Sequence, residues 1–249
     1  MISKSTEEIF GIHAAKAAIK NPKRKIFSLT CTQQFYENNL SDLKKKKISK
    51  IKILKRKEID SLTNLTTHQG VVLECNFVQN YKINEIQKNE EIVIILDSLN
   101  DSQNVGSILR TAYLFGVQTI IFNKDNSFKL NSFMIKSASG AYEKIKMIEV
   151  LNLNRAIEFL KKDGFWIIGL DSRSKENIKN LPKNTKKVLI LGSEDRGIRK
   201  LVKKNCDYTI KIETVITDNK IVDSLNVSNA CAIILNQLIN NNERNTRSL

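Results

Sequence analysis

Three short segments of this chain carry side chains whose types and spacing could do chemistry. The first is Asp101-Ser102-Gln103-Asn104-Val105-Gly106, with Arg110 six positions after Asn104. Asn104 is placed to cap a helix, and Gly106 lets a ligand or another backbone come close. Arg110 lies among apolar and small residues. It needs an anionic partner if it is buried and none if it faces solvent; its neighbours leave both open. The second segment is Gly192-Ser193-Glu194-Asp195-Arg196-Gly197, directly after an apolar run. Glycines between a strand and a helix can cradle a cofactor. This is not a P-loop, because Ile198-Arg199 follows Gly197 in place of Lys and Ser/Thr, and it is not the Gly-x-Gly-x-x-Gly dinucleotide fingerprint. Two carboxylates here would repel a phosphate, whereas a ribose hydroxyl or a sulfonium suits Glu194. The third segment, Asp223-Ser224-Leu225-Asn226-Val227-Ser228-Asn229-Ala230, opens the last apolar helix. Capping uses one or two of its polar side chains. The surplus is available for hydrogen bonds outside the helix.

These segments have to be held by the elements around them. Ile92 to Leu96 is a short apolar run ending in Asp97, as a buried parallel strand would be. A helix from about Val105 to Phe115 follows, closed by Gly116. Strands are expected at Val117–Phe122, Ile145–Val150, Trp166–Leu170, Val188–Leu191 and Tyr208–Ile212. Helices are expected at Asn131–Ser139, at Leu153–Lys162, after Gly197, and at Val227–Ile239. Such alternation predicts an α/β fold, a parallel sheet with helices on both faces. Ligands of such sheets bind beyond the carboxyl ends of the strands. That places Asp97–Asn104, Gly192–Gly197 and Glu213–Asn226 at the site. The polar tail Asn240–Leu249 is expected to fray.

A smaller α/β unit comes first, from about Ser5 to Phe77. A helix over Glu7–Ile19 would put Ile9, Ile12, Ala15 and Ile19 on one face, and Asn21-Pro22 stops it. Strands are expected at Ile26–Thr30, Ile51–Leu54 and Val71–Phe77, with a Lys-rich helix that includes Lys44 to Lys47. The expected organisation is residues 1–79, a polar linker over 80–90, and residues 91–249.

Lys and Arg total 41 against 26 Asp and Glu, a net charge of +15. The first 80 residues hold 15 basic and 7 acidic residues, about half of that excess in a third of the chain. Nucleic acid or acidic substrates are the partners such a charge suits; a Lys-, Asn- and Ile-rich genome bias would produce it too. The 4 cysteines form no Cys-x-x-Cys pair, and His13 and His68 are far apart, so no structural zinc site is expected. Cys31, Cys75 and Cys231 lie in apolar segments as small core residues. No apolar run approaches a membrane span, and Met1–Lys20 does not read as a signal peptide. The expectation is a soluble protein of a reducing compartment, the cytoplasm.

Taken together, the three segments resemble a known family. Asp-x-x-Asn-x-Gly-x-x-x-Arg, Gly-x-Glu-x-x-Gly and Ser-Leu-Asn-Val-Ser are similar, in order and spacing, to the signature motifs of the SpoU (TrmH-type) RNA 2′-O-ribose methyltransferases. Ile9-Phe10-Gly11-Ile12-His13-Ala14-Ala15, His68-Gln69-Gly70-Val71-Val72 and Ser137-Ala138-Ser139-Gly140-Ala141 resemble the bacterial 23S rRNA guanosine-2′-O-methyltransferase branch. The likeness runs from Ile9 to about Leu238.

The resemblance implies a SPOUT-type catalytic domain with a deep trefoil knot, its C-terminal segment threaded to form an S-adenosylmethionine (SAM) pocket. It also implies an L30e-like RNA-binding domain in front and a homodimer through the catalytic domain. By carry-over, Gly192, Ile212 and Leu225 hold SAM mainly through backbone groups. Asn104, Arg110, Glu194, Ser224 and Asn226 form the catalytic surround, with no metal. Three positions depart from the family pattern: Ser102 and Glu213 stand where proline is usual, and Asp195 where a second glycine is usual. The implied reaction is in-line attack of a ribose 2′-hydroxyl on the SAM methyl group, which is positioning work. Family proposals make Arg110 the general base. A guanidinium stays protonated and has no acceptor, so Arg110 is better read as binding the flanking phosphate and stabilising negative charge. The proton then passes to a phosphate oxygen, water or Glu194. DNA, lacking the 2′-hydroxyl, is excluded as a substrate. The alternatives are a tRNA ribose methyltransferase of the same family and a catalytically silent RNA-binding or ribosome-assembly protein, for which Asp195 leaves room.

Overall fold

The computed structural model describes residues 6–63, 67–79, 81–125, 127–215 and 224–243. They form two compact units. One contains residues 1–80 and 130–144, the other 81–129 and 145–249.

The first unit contains β1 (Thr6–Phe10), α1 (Ile12–Lys20), β2 (Ile26–Cys31), α2 (Gln33–Asn38), α3 (Leu40–Lys44), β3 (Lys50–Ile53), α4 (Arg56–Thr63) and β4 (Val71–Asn76). The sheet order is β1-β4-β2-β3. Strand β4 runs antiparallel to both neighbours, and β2 runs parallel to β3. The helix expected from Glu7 begins only at Ile12. Gly11 sits at φ +93° and separates a strand from a helix. Thr6–Phe10 instead pairs along β4, with Ile9 opposite Leu73. Ile9 and Ile19 are both buried, but on different elements; their apparent 3.6-residue period merges a strand with a helix. The Lys run straddles the end of α3, and Lys44, Lys45 and Lys47 are exposed while Lys46 is half-buried.

Segment 130–144 packs with this first unit, although by order in the chain it falls within the second. It contributes α6 (Ser132–Ser137) and a 3₁₀ turn at Ala141–Glu143. Phe133 stacks edge-on against Phe10 with centroids 5.4 Å apart. A Cβ on Gly140, at φ +94°, would lie 2.9 Å from Ala17 Cβ. The fully buried Arg24 ties the segment down through Glu143.

The second unit contains β5 (Ile92–Asp97), α5 (Ser102–Leu114), β6 (Thr119–Asn123), β7 (Lys146–Val150), α7 (Leu153–Lys162), β8 (Trp166–Leu170), β9 (Lys187–Gly192), α8 (Lys200–Lys204), β10 (Tyr208–Ile210) and α9 (Val227–Glu243). Six parallel strands lie in the order β10-β8-β9-β5-β6-β7. Runs such as Val93–Leu96 and Val188–Leu191 are wholly buried, as a sheet covered on both faces requires. Val93, Ile95, Val188 and Ile190 pack under α7 and α8 with Leu153, Ile157, Leu160 and Val202. Strand alternation turns the intervening residues to the opposite face, where α9 lies on β9 and α5 lies on α9. From β5 the chain winds outward through β6 and β7, then returns to fill the other side with β8 and β9. The switch falls between β5 and β9, the point at whose carboxyl ends open α/β sheets bind their ligands.

Cys31, Cys75 and Cys231 are buried core residues. Burial pushes their thiols up, to about 11 for Cys31 and about 12 for Cys75 and Cys231, which leaves them unreactive at neutral pH. Among the described residues no helix is long and apolar enough to cross a membrane.

Candidate active site

Asp97 and Gly192 are register partners at the ends of β5 and β9, so the switch point opens directly onto the two expected loops. Asp97 is fully buried. Its carboxylate accepts from Arg199 N at 2.8 Å and from Arg199 Nε at 2.5 Å. This closes the loop 192–199 back onto β5 and places α8 behind it. The sequence places Asp97 at the start of the first site segment but gives it no role; its signal is a charged residue terminating an otherwise apolar strand.

The loop itself is tight. Gly197, at φ +67°, donates its N–H to Ser193 O at 2.8 Å. A Cβ on Gly192 would lie 2.2 Å from Gly197 C and 2.3 Å from Ile198 N, both backbone atoms. No rotamer relieves such a clash. Gly192→Ala is therefore expected to force the loop open and destabilise the second unit by about 3 kcal/mol. An unchanged urea midpoint for Trp166 fluorescence would contradict this. Asp195 is exposed and is not among the positive-φ residues, so an aspartate strains nothing there.

Helix α5 begins earlier than expected. Its cap is Asp101, whose Oδ1 accepts from Gln103 N at 2.8 Å. Asn104 is therefore not the cap but lies in the first turn, with its side chain available. Ser102 occupies the first helical position, where proline is favoured but not required.

The available amide of Asn104 meets the other two segments. Asn104 Nδ2 donates to Glu194 Oε1 at 2.6 Å. Asn226 Nδ2 donates to Asn104 Oδ1 and to Glu194 Oε1, each at 3.0 Å. Asn226 Oδ1 faces the other way, accepting from Ser228 N at 2.9 Å and Ser228 Oγ at 2.6 Å at the start of α9. One side chain thus caps α9 and reaches across to the other loops. Glu194 Oε2 has no partner among the described residues, so a carboxylate fixed through Oε1 by two amides keeps its Oε2 ready to accept.

The remaining expected residues take no part in the hydrogen bonds of this triangle. Arg110 is exposed on α5 and has no ion-pair partner among the described residues. Six residues correspond to about 240° of helix rotation, so it leaves α5 on another face from Asn104. Ile212 and Leu225 lie outside helix and strand, and their N–H and C=O groups are not committed to a ladder. Ser224 immediately precedes Leu225 in the approach to α9. Glu213 is exposed, and its Oε1 accepts from Asn177 Nδ2 at 2.9 Å. Asp223, and residues 216–223 generally, lie outside the described residues.

In the first unit the family-like motifs have structural duties. His68 is buried; its Nδ1 accepts from Gly70 N at 2.9 Å, which leaves Nε2 to donate to Asp60 Oδ1 at 2.7 Å. Gln69, at φ +56°, accepts from Ile12 N at 3.0 Å and anchors the start of α1.

This architecture is that of solved methyltransferases. The SpoU methyltransferase AviRb from Streptomyces viridochromogenes superposes with a TM-score of 0.79 at 18% identity, over 96% of this chain and 91% of that one. An AdoMet-bound rRNA methyltransferase from Sinorhizobium meliloti gives 0.78 at 20% identity, over 95% and 87%. These likenesses show the fold, an α/β architecture shared with those two proteins. The SpoU rRNA Methylase family model matches residues 91–236, and the model for RNA 2'-O ribose methyltransferase substrate binding matches residues 9–81. The 23S rRNA (guanosine-2'-O-)-methyltransferase RlmB of Coxiella burnetii is 33% identical over 238 residues, 92% of this chain and 93% of its own length. The chain belongs to the SpoU methylase family and is an RNA 2′-O-ribose methyltransferase.

Proposed function

We propose that this enzyme uses SAM to methylate the ribose of a guanosine in 23S rRNA, in the cytoplasm. The observation that carries the proposal is the Asn104–Glu194–Asn226 triangle at the switch point. It joins three distant segments around one carboxylate oxygen and leaves the other oxygen open.

The residues present suit SAM. Gly192, Ile212 and Leu225 offer backbone groups at the carboxyl ends of β9 and β10 and before α9, and Leu225 keeps an exposed apolar side chain for a flat ring. When bound, SAM supplies an electrophilic methyl group. The protein's task is to align a ribose hydroxyl with it. Asn104 and Asn226 hold Glu194, and Glu194 with Ser224 orients the hydroxyl. Arg110 binds the phosphate flanking the target and stabilises the charge that grows on oxygen. The proton leaves to a phosphate oxygen, to water or to Glu194.

The finer architecture belongs to the same proposal. The second unit is a deep trefoil knot, a reading supported by the return of the chain from the edge strand β10 to Asn226 beside the β9 loop. The first unit is L30e-like. The enzyme is a homodimer through the second unit, supported by exposed Tyr113 and Leu114 on α5. The match to RlmB supports 23S rRNA over tRNA.

Methyl transfer from labelled SAM to unmodified 23S rRNA and to unmodified bulk tRNA tests the proposal. The expected result is label in 23S rRNA alone, at a ribose resistant to alkaline cleavage. Label confined to tRNA overturns the substrate. Absence of SAM binding overturns the cofactor site.

A further inference from the structure

A basic groove of about 730 Å³ runs along the outer edge of the second unit's sheet. One wall is the segment Arg173–Glu176, which folds back beside β10 through a bridge from Glu176 to Ile210. The other wall is α8 with Lys200, Lys203 and Lys204. Five cations line it, Arg173 and Lys175 being the other two, against the acids Glu176 and Asp207.

The acids only partly cancel this charge. Asp207 is engaged by Lys161 at 2.5 Å and by Ile167 N at 2.8 Å. Nearby Asp171 ion-pairs with Lys203 and Arg173. Burial alone would raise the Asp171 carboxyl, but these two cations outweigh it and hold the group below its ordinary value. Lys175, Lys200 and Lys204 have no ion-pair partner among the described residues, and neither has Glu176. Three unpaired ammonium groups therefore share one groove with a single unpaired carboxylate, an excess of positive charge. Tyr208 lines the same groove and is braced by Trp166, ring centroids 5.7 Å apart.

Its position ties the groove to the chemistry. Helix α8 begins one residue after Arg199, which is clamped to Asp97 at the switch point. We infer that this groove carries the phosphate backbone of the RNA strand that continues from the nucleotide being methylated, with Lys175, Lys200 and Lys204 as its phosphate contacts and Tyr208 as a stacking surface for a base. The inference rests on the proposed RNA reaction and adds a substrate track on the catalytic unit itself. Lysines bind phosphate as point charges without base specificity, so the track supplies affinity and register. An aromatic face stacks any base.

The test compares the full-length wild type with Lys175→Gln/Lys200→Gln/Lys204→Gln, and with Lys88→Gln/Lys162→Gln/Lys183→Gln as an equal charge change at exposed sites of the same unit. Equilibrium binding to a 23S rRNA fragment is measured by anisotropy from low to high salt, beside SAM affinity and methyl transfer. The groove variant should bind RNA at least about tenfold more weakly, and its log–log salt slope should flatten by about two. Its SAM affinity and its rate at saturating RNA should be unchanged. Charge reversal at the same lysines should weaken binding further if the groove variant folds as the wild type does. Equal losses in the groove and control variants would overturn the inference, and so would a selective loss of binding to an acidic protein with RNA binding intact. If the wild type binds RNA but transfers no methyl group, the reaction fails while the groove remains judged by the binding arm.

Discussion

Arg110→Ala is expected to lower methyl transfer by about a thousandfold at saturating substrates while SAM binds nearly as in the wild type. Removing one preorganised group that stabilises developing charge costs roughly a hundred- to a thousandfold in rate. In the proposed mechanism the same guanidinium also holds the flanking phosphate in place, which puts the expected loss at the upper end. SAM binding is spared because Arg110 takes no part in the triangle around Glu194 or in the Gly192 loop. Lysine at this position should restore only part of the rate, since a point charge does not reproduce a planar fork. Single-turnover transfer from labelled SAM, beside calorimetric SAM binding, separates the two effects. Turnover near wild type in the alanine variant would remove Arg110 from the mechanism.

Arg24→Ala is expected to be the most destabilising single change in the first unit. The Arg24 side chain is 0% exposed, and its partners Glu7 and Glu143 are 10% and 1% exposed. Nη1 donates to Glu7 Oε2 at 2.5 Å and also to Asn76 O. Nη2 donates to Glu143 Oε1 at 2.7 Å, and Nε to both Glu143 oxygens at 3.1 Å. Tyr142 Oη adds a bond to Glu7 Oε1 at 2.6 Å, and Asn21 Nδ2 one to Glu143 Oε2 at 2.6 Å. Removing the cation strands two buried carboxylates, at a cost of about 3–5 kcal/mol. For a unit of this size that lowers its thermal midpoint by about 12 °C or more. Hydrogen exchange across β1 and β4 reads the loss locally, and Trp166, the only tryptophan, reports the second unit as an internal control. The triple change Arg24→Met/Glu7→Gln/Glu143→Gln should recover much of the stability, since it leaves no buried charge unpaired. A first-unit midpoint within about 2 °C of wild type for Arg24→Ala would show that the carboxylates find other partners.

Much of this protein is legible in its amino-acid order because the relevant signals are local. The apolar runs at 92–96, 117–122 and 188–191 mark buried parallel strands, and residues 93–96, 119–122 and 188–191 prove buried. Helices α7 and α9 begin at the residues their periodicity indicates. Asn104, Glu194 and Asn226 stand out as polar groups at strand ends and helix starts, and those are the three that meet. The motifs and their spacing also suffice to indicate the family.

Other features are decided only when distant parts of the chain come together. Thr6–Phe10 is a strand because β4 lies beside it, some sixty residues away; its own pattern fits a helix as well. Segment 130–144 belongs with the first unit because Glu143 and Tyr142 complete the buried Arg24 and Glu7 network, whose other members are far off in sequence. Asp101 rather than Asn104 caps α5, and only that choice releases Asn104 to reach residues 90 and 122 positions away. Asp97 becomes part of the site through Arg199, 102 positions later, because strand order sets β9 against β5. Periodicity and capping preferences act within a turn or a strand. Strand order and the burial of charge are properties of the whole packed chain, so the participants in the site are written in the sequence while their partnerships come from tertiary structure.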